Sequence, residues 1–209
     1  MVIDMNYDKE MEKIIEGLDH VPTLLLHTCC APCSSAVIER LKDYFDITII
    51  YYNPNIEPFL EYEHRKEEQK KFLSKIKSKN KLDMIDADYD NEHYKSIIKG
   101  LENEPERGSR CKVCYRDRIE YTFNKAKSLG YEYFGTTLTV SPYKVSSWIN
   151  EIGLELETDD LKFLVADFKK QNGYKRSIEL SREYDLYRQD YCGCIFSKEE
   201  RERETRESI

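Results

Sequence analysis

Seven cysteines stand in three tight groups. Cys29, Cys30 and Cys33 lie in "HTCCAPCSSAV", Cys111 and Cys114 in "RCKVCYRDR", and Cys192 and Cys194 in "YCGCIFS". In a reducing compartment such groups read as metal ligands or redox centres rather than a disulfide framework, and an odd number cannot all pair. Cys111 and Cys114, at i and i+3, present both thiols on one side of a helical turn. Arg110, Lys112, Arg116 and Arg118, with the helix N-terminus, are expected to lower their pKa values and favour thiolate, the form that binds metal.

Two thiolates from Cys29 and Cys30 and two from Cys111 and Cys114 make a four-cysteine site, suited to zinc or to an iron–sulfur cluster. Zinc normally takes paired CxxC knuckles, and adjacent cysteines, with Cα atoms about 3.8 Å apart, are an awkward pair for one tetrahedral ion. A cubane, whose irons are separate corners, accepts neighbouring thiolates more easily, so the residues favour the cluster. A disulfide between Cys192 and Cys194 closes a small strained ring, and strain eases reduction. The pair reads as a two-electron reservoir or as two further ligands for a second metal, and Gly193 supplies the backbone freedom either needs. Cys33, following Pro32 at an expected helix start, is open to activation, but a small core residue is the expected role.

These groups need a scaffold. "TLLLHT" (23–28), "DITIIYYNP" (46–54), "LDMIDADYD" (82–90), "YEYFGTTLTVSP" (131–142) and "DLKFLVADF" (160–168) have strand length and composition. Helices are expected at about 6–18 and 34–44, over "LEYEHRKEEQKKFLSKIKSKN", "NEHYKSIIKGL" and "CKVCYRDRIEYTFNKAKSLG" (ended by Gly130), from Pro142 to about Ile152, and over 175–189. Alternating strands and helices indicate one α/β domain over 1–209: a mainly parallel, Rossmann-like (HUP-like) sheet with flanking helices and a charged tail from about 198 to 209. In such sheets ligands bind beyond the carboxyl ends of strands, and Cys29, Cys30 and Cys33 fall there, after the first strand. No glycine occurs between Gly17 and Gly100, so the glycine-rich loop that admits phosphate is missing. Sulfur occupies its place.

The chain of 209 residues is 40% hydrophobic and 35% charged, enough for a core beneath a well-solvated surface. No apolar run reaches the roughly 18 residues that cross a bilayer, and the acidic start "MVIDMNYDKEMEK" lacks the plan of a signal peptide. A cytoplasmic protein is expected. The net charge of −7 gives no whole-protein attraction to nucleic acid. Two local stretches differ: 105–118 has a balance of +3, and 168–176 has +4 with no acid.

Taken in order, "HTCCAPCSSAV", "YYNPNIEPFLEYEHR", "RCKVCYRDR", "YEYFGTTLTVSPYK" and "DFKKQNGYKRSIELSREYDLYRQDYCGCIFS" resemble the QueH family of epoxyqueuosine reductases over about residues 23–197. The resemblance implies the last step of queuosine synthesis: an epoxide on the cyclopentane ring of the modified guanosine at the tRNA wobble position is reduced to the alkene, and water is lost. It implies Cys29, Cys30, Cys111 and Cys114 as ligands of a [4Fe–4S] cluster and Cys192 with Cys194 as a redox-active disulfide pair. tRNA carrying epoxyqueuosine and an external low-potential electron donor are the implied partners.

Removing an epoxide oxygen takes two electrons and two protons, whereas a [4Fe–4S] centre usually passes electrons singly. A nearby dithiol or second metal is therefore useful. Surplus thiols with a carboxylate such as Asp190 or Asp117 suggest a second iron, a hypothesis motivated by ligand count. For the RNA, Tyr143, Tyr174, Tyr187 and Tyr191 are candidate stacking platforms, and Lys144, Lys169, Lys170, Lys175 and Arg176 candidate phosphate contacts. His27 reads as a proton donor or a hydrogen-bonded structural histidine. Two other functions fit parts of the pattern. An ATP-dependent tRNA sulfur-transfer enzyme lacks support because the phosphate loop is missing, and a zinc-stabilised non-catalytic RNA-binding module would be colourless.

Overall fold

A run of three leucines sets the centre of the molecule. The computed structural model describes residues 5–207; the first four residues of the acidic start and the last two of the charged tail lie outside them. Strand β1 (Thr23–His27) pairs in parallel with β2 (Asp46–Tyr51) on one side and β4 (Tyr133–Thr136) on the other. Strand β3 (Leu82–Asp86) adds to β2 and β5 (Lys162–Phe163) to β4, giving the order β3-β2-β1-β4-β5, parallel throughout. Successive side chains of a strand face opposite ways. Leu24 and Leu26 therefore join one apolar layer, with Ile47, Ile49, Val37, Ile38 and Phe72. Leu25 joins the other, with Ile50, Phe134, Tyr115 and Ile149. Both faces are covered by helices, which is why the central strand is an unbroken apolar run rather than an alternating one.

The helices are α1 (Tyr7–Glu16), α2 (Ala31–Leu41), α3 (Phe59–Lys75), α4 (Asn91–Ile97), α5 (Ser109–Leu129), α6 (Ser146–Leu156), α7 (Gly173–Glu183) and α8 (Ile195–Glu207). Helix α5 ends at Gly130 as expected, with φ +73° in the left-handed region. The strand order reverses between β1 and β4, so the crevice at the carboxyl ends of these two strands is the ligand-binding position of the fold.

Several boundaries differ from the sequence expectation, each for a local reason. Helix α2 starts at Ala31 rather than at residue 34, with Cys30 as its extended N-cap and proline in its first turn, so Cys33 belongs to the first turn. The fourth strand stops at Thr136, whose hydroxyl accepts from the Leu138 N–H at 3.2 Å and turns the chain into a 3₁₀ turn over Thr137–Val140. Pro142 precedes α6 instead of opening it. The fifth strand pairs over only two residues. Beyond it the Asn150 amide donates to the Ala166 carbonyl at 3.0 Å and accepts its N–H at 2.9 Å, taking the role of a strand neighbour. Residues 198–207 of the charged tail continue α8, and Ser197 in its first turn is buried.

Candidate metal centre

The loop after β1 is fixed before any cysteine is reached. Thr28 donates its N–H to Ile50 O at 3.2 Å, and its carbonyl accepts from Asn53 Nδ2 at 2.8 Å. The chain then enters α2 and gathers three sulfurs: the Sγ atoms of Cys29, Cys30 and Cys33 all lie within 4.8 Å of one another. They form the one group of three or more metal-ligating side chains of this compactness among the described residues. Cys29 and Cys30 are 3.9 Å apart. Donation from Cys30 and Cys33, helped by Arg118, holds the Cys29 thiol well below the usual range. The same sharing pushes Cys30 and Cys33 up. The three sulfurs thus share their hydrogen bonds, and a metal taking all three would displace the protons they carry.

The other four cysteines meet around a small inner cavity, lined also by Tyr94 and Tyr115. Cys111 and Cys114 come from the first turns of α5. The expectation that their basic neighbours lower their pKa values is overturned: burial holds Cys111 up and pushes Cys114 to about 11. The sequence neighbours are engaged elsewhere. Arg110 donates to the carbonyls of Glu102 and Glu104 and lies over the Phe196 ring. Lys112 lies over Trp148, and Arg116 binds Glu120 and Glu155. Of the four, Arg118 lines both the inner cavity and the cleft beside it.

The Cys192–Cys194 segment is held at each backbone step. The Cys192 N–H donates to Ser197 Oγ at 3.0 Å, its carbonyl accepts from Arg65 Nη1 at 3.2 Å, and the Gly193 carbonyl accepts from the Glu57 N–H at 2.9 Å. Lys144, itself buried, donates from Nζ to Cys192 Sγ at 2.8 Å and lies 3.6 Å from Glu106 Oε1. Cys194 is more enclosed, and burial pushes its thiol to about 12. All seven cysteines are free thiols.

The two sulfur groups are neighbours. An open cleft of about 430 Å³ is lined by Cys29, Cys30 and Cys33, and it shares Glu106, Arg118, Lys144 and Cys192 with the inner cavity. The structure therefore clusters the thiols as three and four, with Cys33 joining the adjacent pair and the CxxC pair facing the CGC pair. Arg118 stands between: its charge is coupled to Cys114, Cys192 and Cys29 together.

The model of the epoxyqueuosine reductase QueH family matches residues 24–200. The chain belongs to that family. Among its relatives are proteins named epoxyqueuosine reductase QueH from Streptococcus pyogenes serotype M1, 43% identical over 92% of this chain and 78% of the relative, and from Staphylococcus epidermidis, 41% identical over 92% and 84%. One from Thermotoga maritima is 35% identical over 86% of this chain and 92% of the relative.

In this member of the epoxyqueuosine reductase family, several expected site residues take other places. His27 is wholly buried; its Nε2–H donates to the Tyr52 carbonyl at 3.0 Å, its Nδ1 accepts from Thr136 Oγ1 at 2.9 Å, and burial lowers its pKa to about 3. It is a neutral structural histidine. Lys144 is a thiol partner, not a surface phosphate contact, and Arg176 is bound by Glu39, Glu179 and Glu183. Asp117 accepts from His93 at 2.7 Å on another face of α5, whereas Asp190 lines the cleft. Tyr143, Tyr174 and Tyr191 line it too; Tyr187 stacks on His64 instead.

Residues missing from the sequence reading are Cys33 as part of the triplet, the buried Arg65, the half-buried Glu106 and Arg201, and the exposed Arg188, all of which line the cleft. Arg65 and Arg118 are each about 1% exposed, and the Nη2 atom of each is buried without a hydrogen-bond partner. Two unsatisfied cationic donors beside buried sulfurs suit a site built for an anionic, thiolate-ligated group, because such donors are costly unless something accepts from them.

Proposed function

We propose that this chain, as one α/β catalytic domain acting in the cytoplasm, reduces the epoxide of epoxyqueuosine in tRNA to give queuosine. The balance is one epoxide, two electrons and two protons giving one alkene and one water. The observation that carries the reading is the convergence of all seven cysteines on the strand-end crevice of a chain belonging to this family. Cys29, Cys30, Cys111 and Cys114 are the ligands we assign to a [4Fe–4S] cluster. The donor set, all sulfur and mostly buried, fits such a group, and the orphaned donors of Arg65 and Arg118 suit its negative charge. When bound, a cluster of this kind relays single electrons from an external low-potential donor.

The chain's own residues do the rest. Cys192 and Cys194 supply two electrons and two protons when they close to a disulfide, which returns to the dithiol on reduction. Lys144 keeps an ammonium at the edge of the cleft, against Cys192 Sγ, where it donates to that sulfur and carries a proton within reach of the bound epoxide oxygen. Leu138, Val140 and Pro32 give the cleft apolar wall that limits water. For a second iron, the surplus thiols would be joined by the carboxylate of Asp190, which lines the cleft, rather than Asp117, which His93 engages.

Anaerobic incubation of iron- and sulfide-reconstituted protein with epoxyqueuosine-containing tRNA and a low-potential reductant, followed by nucleoside mass spectrometry, tests the reading. Cys111→Ser or Cys114→Ser is expected to remove iron and turnover together. Cys192→Ser and Cys194→Ser are expected to keep the cluster, read by its sulfide content and absorbance, and lose multiple turnover. Purified protein that holds zinc without iron or sulfide, and leaves the epoxide intact, overturns it.

A further inference from the structure

Beside the sulfurs, the cleft carries more positive charge than its sulfur chemistry uses. Its walls hold Arg65, Arg118, Lys144, Arg188 and Arg201 against the carboxylates of Glu106 and Asp190. The first three surround the thiols. Arg188 and Arg201 do not touch them, and each is laid on an aromatic ring that also lines the cleft. The Arg188 guanidinium lies 5.3 Å from the centroid of Tyr174, and that of Arg201 lies 5.3 Å from the centroid of Tyr143. Arg188 pairs with no carboxylate among the described residues; its partners are the Ser177 carbonyl and hydroxyl and the Ser181 hydroxyl, at 3.3 to 3.5 Å. Arg201 bonds Glu204 through Nη1 at 2.6 Å, and its Nε is buried without a partner. A guanidinium stacked on a ring keeps its plane fixed while its N–H edge stays free, so little side-chain entropy is lost when it forks onto an oxyanion. Phosphate is the oxyanion an RNA presents beside a modified nucleotide.

We propose that Arg188 on Tyr174 and Arg201 on Tyr143 are two pre-set phosphate holders that grip the RNA backbone next to the nucleotide entering the cleft. The proposal rests on the tRNA reading above and names the groups that recognise that substrate. It makes α8, through Arg201, a wall of the substrate site. It also moves the phosphate contacts away from the 168–176 stretch, where Arg176 is spent on three glutamates, Lys169 is paired with Asp167, and neither Lys170 nor Lys175 lines the cleft.

The test is a binding titration of the cluster-loaded protein with a fluorescein-labelled anticodon stem-loop RNA bearing unmodified guanosine at the wobble position, repeated across a salt series. Arg188→Ala and Arg201→Ala are each expected to weaken binding about tenfold, and each to flatten the slope of log K against log salt by about 0.7, the value for one phosphate contact on a single strand. Arg201→Ala lies on an exposed helix and leaves the core intact, so the test does not depend on how Arg188→Ala folds. Tyr174→Leu, which keeps the charge and removes the platform, is expected to weaken binding with the slope unchanged. Affinities and slopes that stay at wild type in both arginine variants overturn the proposal. Turnover of the modified tRNA by wild-type protein is measured separately: if that fails while the arginine effects hold, the reductase reading fails and the RNA contacts stand.

Discussion

Gly193 sits between Cys192 and Cys194 with φ +119°, in the region that side-chain-bearing residues rarely adopt. A Cβ added there falls 2.9 Å from Ile56 Cγ1 and 3.0 Å from Arg65 Nη1. Both neighbours are fully buried, so neither gives way freely. Keeping the native backbone in Gly193→Ala therefore costs about 1–3 kcal/mol of dihedral strain and roughly 1–3 kcal/mol of overpacking. The cheaper escape is for the segment to lift away, which breaks the Arg65–Cys192 carbonyl hydrogen bond, worth about 1.5–3 kcal/mol for a charged donor. Stability is thus expected to fall by about 2–3 kcal/mol, and the melting temperature by roughly 5–10 °C for a chain of this size. The assay joins calorimetry to timed iodoacetamide labelling of the reduced protein, read by peptide mass spectrometry. Cys194, shielded in the wild type, is expected to label nearly as fast as Cys192, with iron content held and turnover lost. A variant that melts within about a degree of the wild type and still turns over refutes the view that this backbone seat presents the dithiol.

Other expectations are smaller in scope. Lys144→Met removes the ammonium 2.8 Å from Cys192 Sγ and is expected to slow alkylation of Cys192 several-fold, while Lys144→Arg restores most of the rate. Gly153→Ala places a Cβ 2.4 Å from three ring atoms of Phe163 and is expected to cost roughly 1–3 kcal/mol in denaturant unfolding without changing iron content. His20 hydrogen-bonds Asp19 and Glu132, and these partners raise its pKa. Its contribution is therefore complete below the unfolded value of about 6.5 and fades as pH climbs through the higher folded value. The melting-temperature gap between wild type and His20→Ala is expected to be widest below about pH 6.5 and to shrink as pH rises above it.

How much of this was legible in the chain depended on distance along it. The leucines of β1 and the left-handed Gly130 carry their structural meaning locally, so the central strand, the parallel sheet and the end of α5 could be read directly. So could the position of the first cysteine group, which follows from the missing glycine loop. The thiol pKa values could not, because charges next in sequence to Cys111 and Cys114 point at Glu120, Glu155, Phe196 and Trp148. The cations that do meet the thiol segment arrive from afar: Lys144 is 48 residues from Cys192, and Arg65 is 127. Cys33 sits at a helix start and against the core, as its sequence suggests, but its place beside Cys29 and Cys30 depends on α2 starting one turn earlier; Arg201 is hidden because a helix of alternating charges resembles a solvated tail. The role of His27 is decided by the Tyr52 carbonyl and the Thr136 hydroxyl, distant in sequence, which occupy both ring nitrogens.

The Asn150 side chain has an effect beyond shortening β5. A sheet that ends in unpaired peptide groups invites another polypeptide to add a rung, and proteins guard against this at the margins of their sheets. Here one amide, delivered by a covering helix, satisfies both the N–H and the carbonyl of Ala166, so that position offers nothing for a stranger to zip onto. Asn150→Leu would keep the packing and free that pair of groups. Turbidity on gentle warming, ahead of any loss of helix, is the sign to look for.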